Sequence, residues 1–245
     1  SQGKSLPLTG NTFEVAGHPA FLIMPDKPPA PGQLRPWVWY APTLPGLPGE
    51  EEKWMLTRFV KRGIAVAGID VGESYGSPAG RRLYNALYQR LTKKHGLSAQ
   101  ACLLGRSRGG LMLYNWAAEN PEKVACIAGI YPVCNLVSWP GLAKSCKAYN
   151  LTEIELAKAL KEHNPIDRLA PLAKARVPIF HIHGDMDKVV PLEGNSGTVS
   201  NRYLKLGGSM TLKIIKNQGH NMWTGWFRDE DLVNFILRHA AGPKK

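Results

Sequence analysis

The stretch CLLGRSRGGLMLYN, Cys102–Asn115, runs apolar into Gly105, sets Ser107 between Arg106 and Arg108, and then turns amphipathic. Strand, glycine, serine, glycine and helix in that order make the G-x-S-x-G pattern, in which a sharp strand-to-helix turn lifts a serine hydroxyl above the carboxyl edge of a sheet. Glycines at 105 and 109 spare the turn a Cβ where backbones crowd together. The helix start beneath Ser107 places the positive end of a dipole where an oxyanion forms. Five residues of this kind recur by chance, so their meaning depends on the surrounding elements.

Outward from this stretch, short β-like runs alternate with amphipathic helical stretches, the pattern of a largely parallel sheet covered by helices on both faces. An N-terminal hairpin is expected over 12–25, and strands over 36–42, 64–72, 101–106, 124–134, 177–185 and 211–219. Helices are expected over 50–63, 80–96, 108–121, 196–208 and 229–240. Residues 135–173 break the rhythm with a loop, SWPGLAKSCKAYN, and a helix starting near Thr152, and read as a small cap-like insertion after the sixth strand. No repeat or linker divides the rest, so 1–245 is expected to be one α/β domain.

Two loops complete the chemistry. HGDMDKVVP places Asp187 beyond the end of one late strand, and NQGHNMW places His220 beyond the last. A serine hydroxyl is a weak nucleophile until an imidazole takes its proton, and that imidazole needs a carboxylate to set its tautomer and balance its charge. Ser107, Asp187 and His220 stand in the chain order of α/β-hydrolase triads, far enough apart to leave room for the intervening elements. Asp185 is the rival acid, but Asp187 lies two residues deeper in the loop and can turn back to His220. His181 and His183 alternate within an apolar strand and are expected to be packed or hydrogen-bonded core residues.

Composition narrows the partners. Hydrophobic residues make up 44% and charged residues 20%, ordinary globular usage that excludes a disordered or fibrous chain. No apolar run approaches the length of a bilayer span, and no membrane partner is expected. The net charge of +12 favours polyanions, yet the basic residues are dispersed and no nucleic-acid motif appears, so specific nucleic-acid binding is not expected. Cys102, Cys126, Cys134 and Cys146 lack metal-site spacing, and neither metal nor cofactor is called for. A bridge between Cys134 and Cys146 would accompany export.

With GRSRGG, HGDMDKVVP and NQGH in place, the sequence resembles the α/β-hydrolase fold family from WVWYAP to the terminal helix. DVGESYGS matches that family's post-strand turn at Asp70 and Ser77 but not at its glycines. The segments 105–135, 138–141 and 164–191 resemble bacterial carbohydrate esterases of the pectin methylesterase and acetyl-xylan esterase types. That resemblance implies hydrolysis of methyl or acetyl esters on plant or algal polysaccharide. A periplasmic or secreted location is expected from that substrate class and the Cys134–Cys146 bridge, and the chain is expected to be a monomer.

An oxyanion hole on this fold combines the Arg108 N–H with a donor from the loop after WVWYAP. Pro42 and Pro45 have no N–H, leaving Thr43 or Leu44, of which Thr43 is preferred for its added hydroxyl. Arg108 follows the nucleophile much as an arginine does in glucuronoyl esterases, where the guanidinium stabilises the oxyanion. Arg106 or Arg108 could also hold a uronate carboxylate, or pair with Glu73 or Asp70 to brace the elbow. Trp223 and Trp226 closely follow His220, Trp139 lies in the insertion and Tyr75 on the loop after IAVAGIDVG, and all four are candidates for stacking on sugar rings.

Three other readings compete. A general carboxylesterase needs the same residues. A peptidase of the prolyl-oligopeptidase type is expected to carry a gating domain for which 245 residues leave no room. A non-catalytic binder of polyanions or carbohydrate has no reason to keep the three groups together.

Overall fold

The computed structural model describes residues 4–240. Its centre is an eight-stranded sheet in the order β1-β2-β4-β3-β5-β6-β7-β8. The strands are β1 (Asn11–Val15), β2 (His18–Ile23), β3 (Trp37–Ala41), β4 (Ala65–Ile69), β5 (Ala101–Arg106), β6 (Val124–Ile130), β7 (Ile179–Gly184) and β8 (Met210–Ile215). β1 and β2 form the expected hairpin, turned at Ala16 and Gly17, both at positive φ, and β2 runs antiparallel to β4. From β4 to β8 every neighbour is parallel, which brings the carboxyl ends of β3, β5, β7 and β8 to one edge.

Alternation along the strands divides the core into two layers. Trp37, Trp39, Leu103, Ile127 and Ile179 face α2 (Pro78–Lys94), α3 (Gly109–Glu119) and α8 (Thr198–Lys205). Val38, Tyr40, Leu104, Ala128 and Ile182 face α1 (Lys53–Lys61) and α9 (Glu230–Ala240). This is the doubly covered, mostly parallel sheet of the α/β-hydrolase fold.

The segment 135–173 is more ordered than its sequence indicated. Its expected loop contains α4 (Leu142–Ser145). The helix near Thr152 is α5 (Glu153–Lys158), where Thr152 and Glu155 cap each other's backbone N–H, and α6 (Leu160–His163) and α7 (Ala170–Lys174) follow. Leu136, Tyr149 and Leu156 pack on Tyr75 and Leu111. Asn115 Nδ2 donates to the His163 carbonyl at 2.7 Å, and Arg168 Nη1 reaches Asn115 Oδ1 at 3.0 Å, tying the segment to α3. The Cys134–Cys146 bridge does not form: both thiols are free, Cys134 buried in the core and Cys146 at the edge of the segment.

Candidate active site

β5 ends at Arg106 and α3 begins at Gly109, so Ser107 occupies the turn with φ +50°. Its N–H donates to Ile130 at 3.0 Å, and its carbonyl accepts from Val133 at 2.8 Å and Gly110 at 3.0 Å. Gly109 must lack a side chain, because a Cβ there would collide with the Ala41 carbonyl. The elbow is thus wedged between the ends of β3 and β6.

The three expected groups meet. Ser107 Oγ lies 2.9 Å from His220 Nε2, and His220 Nδ1 lies 2.8 Å from Asp187 Oδ2. Asp187 Oδ1 accepts the N–H groups of Val189 at 3.0 Å and Val190 at 2.8 Å. Burial works against the Asp187 charge, but hydrogen bonds from His183, His220 and the Val190 N–H outweigh it and hold the carboxyl well below the usual range. Asp187 is therefore ionised at neutral pH. The rival Asp185 braces the neighbouring loop instead, accepting the Asn217 N–H at 2.7 Å.

The N–H groups of Arg108 and of Thr43 and Leu44 have no hydrogen-bond acceptor among the described residues. Leu44 lines the cavity beside Ser107, and Lys4 Nζ holds its carbonyl at 2.5 Å. The Thr43 hydroxyl departs from expectation. It is buried and donates to the Tyr40 carbonyl at 3.2 Å, so it faces the sheet and only the backbone N–H remains for an oxyanion.

The flanking arginines are bound to protein groups. Arg106 Nη1 donates to Glu52 at 2.7 Å, neither Asp70 nor Glu73 being its partner; Glu52 also accepts from Tyr40 Oη at 2.6 Å and the Gly49 N–H at 2.8 Å. Arg106 Nη2 donates to the Met222 sulfur at 2.9 Å, and the guanidinium lies 4.8 Å from the Phe227 ring centroid. Arg108 pairs with Glu73, as the structural alternative anticipated, and its guanidinium lies 5.3 Å from the Trp139 ring centroid.

The aromatic candidates divide. Trp226 is fully buried, with Nε1 donating to Asn221 at 2.9 Å, and Tyr75 is buried against Trp139, so neither presents a face to ligand. Trp139 is half-buried at the rim beside Arg108. Trp223 is exposed, standing edge-on to Trp226. The sequence reading missed Tyr131, whose ring packs 4.2 Å from His220 and whose hydroxyl donates to Asn221 at 3.1 Å. Its position just beyond β6, at the carboxyl edge that carries the triad, was the available signal. The cavity over Ser107 has a volume of about 250 Å³ and is lined by Leu44, Leu47, Arg106, Tyr131, His220 and Met222. Among the described residues there is no cluster suited to a metal ion and no helix long and apolar enough to cross a membrane.

Fold and site together define a chain of the α/β-hydrolase type. Residues 88–241, more than half of the chain, match the prolyl oligopeptidase family, and the chain belongs to it. That family lies within the α/β-hydrolase type indicated by the sequence and does not single out carbohydrate esterases. No curated protein matches. Among solved structures, the fold is shared with a puromycin-hydrolysing peptidase of Mycobacterium tuberculosis (TM-score 0.70, 15% identity), covering 93% of this chain but 38% of that one. Pyrococcus horikoshii acylaminoacyl peptidase has a TM-score of 0.71 at 14% identity, covering 97% of this chain and 42% of the other. The carboxylesterase Cest-2923 of Lactobacillus plantarum aligns along most of both chains, 93% of each, with a TM-score of 0.67 and 18% identity. The chain thus spans well under half the length of these peptidases.

Proposed function

We propose that this chain is a serine esterase that removes methyl or acetyl groups from plant or algal polysaccharide through an acyl-enzyme on Ser107. The observation that carries the hydrolytic part is the connected series from Ser107 Oγ to His220 at 2.9 Å and on to an ionised Asp187 at 2.8 Å. His220 Nε2 takes the Ser107 proton as Oγ attacks the ester carbonyl, then returns it to the departing alkoxide; water repeats the sequence in reverse. Asp187 keeps Nδ1 protonated and balances the imidazolium. The N–H of Arg108 and one from Thr43 or Leu44 receive the oxyanion at the start of α3.

The substrate class draws support from the cavity. At about 250 Å³ it is smaller than sites for drug-sized ligands, which suits an acetyl or methyl group. Arg106 Nη2 donates to a thioether, a weak acceptor that a substrate oxygen readily replaces. Trp139, beside Arg108, and the exposed Trp223 are the aromatic side chains offered for stacking on sugars. With Cys134 and Cys146 unbridged, export to the periplasm or medium rests on the substrate class alone.

A second reading, hydrolysis of aminoacyl or acylaminoacyl amides, is favoured by membership of the prolyl oligopeptidase family. Methyl-esterified pectin, acetylated xylan and a panel of aminoacyl and acylaminoacyl p-nitroanilides separate the readings when offered to the protein and to Ser107→Ala. Methanol or acetate released only by the unmodified protein supports the esterase, whereas nitroaniline without either product transfers the site to amide hydrolysis.

A further inference from the structure

β7 carries histidines at 181 and 183, two residues apart, so both rings leave the same face of the sheet. Both are fully buried, and neither belongs to the triad. Between them stands Ser196, in the π-helical turn Glu193–Gly197. Its Oγ lies 2.9 Å from His181 Nδ1 and 2.7 Å from His183 Nδ1. The series extends at both ends. Tyr114 Oη is 2.7 Å from His181 Nε2, while His183 Nε2 is 2.9 Å from the Val190 carbonyl and 3.3 Å from Asp187 Oδ2.

These contacts have one consistent direction. A carbonyl and a carboxylate only accept, so His183 Nε2 carries a proton. In the neutral ring Nδ1 is then bare and accepts the Ser196 hydroxyl. Ser196 has a single proton, so its oxygen accepts from His181 Nδ1–H, and the bare His181 Nε2 accepts from Tyr114. Burial, with His183 nearby, pulls the His181 pKa down to about 3 and keeps that ring neutral. Each donor in the series points towards Asp187, and aligned hydrogen bonds polarise one another.

We propose that His183 is a positioning residue of the triad: its Nε2–H, held in that tautomer by Ser196 and His181, fixes the Asp187 carboxylate in the orientation His220 requires. Two backbone N–H groups hold Oδ1, His220 bonds Oδ2, and the His183 Nε2–H is divided between the Val190 carbonyl at 2.9 Å and Oδ2 at 3.3 Å. The carboxylate is sealed from solvent, so water cannot replace a lost donor. Without His183 the carboxylate reorients, and His220 loses its bearing on Ser107.

This proposal rests on Ser107 being the nucleophile, and its test reads that directly. The rate of Ser107 labelling by a fluorophosphonate, kcat and KM on p-nitrophenyl acetate, and thermal melting are compared for the unmodified protein, His183→Leu, His183→Gln and Ser196→Ala. His183→Leu is expected to lose roughly tenfold or more in labelling rate and kcat with KM unchanged, the scale seen when groups that orient a functional histidine are removed. His183→Gln places an amide N–H near the former Nε2 and restores most of the loss. Ser196→Ala frees the imidazole to take the other tautomer and falls between. If His183→Leu does not fold, the glutamine and Ser196→Ala variants carry the comparison. Folded His183→Leu or Ser196→Ala that labels at the unmodified rate overturns the proposal, as does an equal loss in the leucine and glutamine variants. An unmodified protein that is not labelled at all overturns the reading of Ser107 as nucleophile, and this proposal with it.

Discussion

Ser107 sits at φ +50°, a conformation that costs a non-glycine residue on the order of 1 kcal/mol or more. It persists because its N–H and carbonyl are bonded to Ile130 and Val133 while Gly109 lies flush against Ala41. Gly109→Ala forces those backbones apart. The expected result is a loss of about 1–3 kcal/mol in thermal stability together with a fall in kcat on p-nitrophenyl acetate, because the same shift moves Ser107 from His220. An alanine variant with unchanged melting and kcat would show that the elbow has slack. At this scale the sequence was most informative, since G-x-S-x-G and two loop residues in chain order sufficed to pick out Ser107, Asp187 and His220. For Tyr131 it offered only a position beyond β6, because the turn that sets the ring beside His220, with Tyr131 at φ +33°, is a backbone feature that residue type does not announce.

Between elements, buried polar contacts fix how the loops meet, and these were the least legible part. Glu52 lies within the helix expected over 50–63, yet it turns inward to Tyr40 and Arg106, contacts that helical spacing does not announce. Glu52→Gln leaves the Arg106 charge buried without its counter-ion. A denaturant titration should show roughly 3–5 kcal/mol of lost stability; a loss under 1 kcal/mol would mean that solvent reaches Arg106 after all. The β7 histidines make the companion case. Their shared face was legible from the two-residue period, but their partner Ser196 lies in a π-helical turn that breaks helical spacing. His181, pulled down to about 3, binds no proton in the folded chain where the unfolded chain, near 6.5, does. Stability therefore falls as pH drops from about 6.5 towards 3. Asp187, held low by its donors against burial, adds stability above its unfolded value of about 3.9 that is lost on further acidification. Melting curves from pH 4 to 7.5 should decline on the acid side. His181→Gln should flatten that decline above pH 4, and an unaltered slope would show that His181 is not its source.

For the molecule as a whole, alternation of strands and helices sufficed to indicate a parallel sheet with chemistry at one edge, because βα periodicity is a local property. Substrate is not, and here the surface charge offers the sharper handle. A net charge of +12 on a chain of this size attracts anionic polymers over distances set by the Debye length, about 10 Å at 0.1 M salt and 3 Å at 1 M. If the substrate is an acidic polysaccharide ester, its KM should rise several-fold between 0.02 and 0.5 M salt, on the order expected when long-range attraction is screened. A neutral ester such as p-nitrophenyl acetate serves as the internal control, and its KM should stay level. Parallel kinetics on partly methyl-esterified pectin, acetylated xylan and that control therefore read the charge apart from the triad. A rise confined to pectin places the basic surface in substrate capture. A KM on pectin that ignores salt makes the positive charge a solubilising surface and shifts the assignment towards neutral acetylated sugars, for which Arg106 meets a carbonyl oxygen rather than a carboxylate.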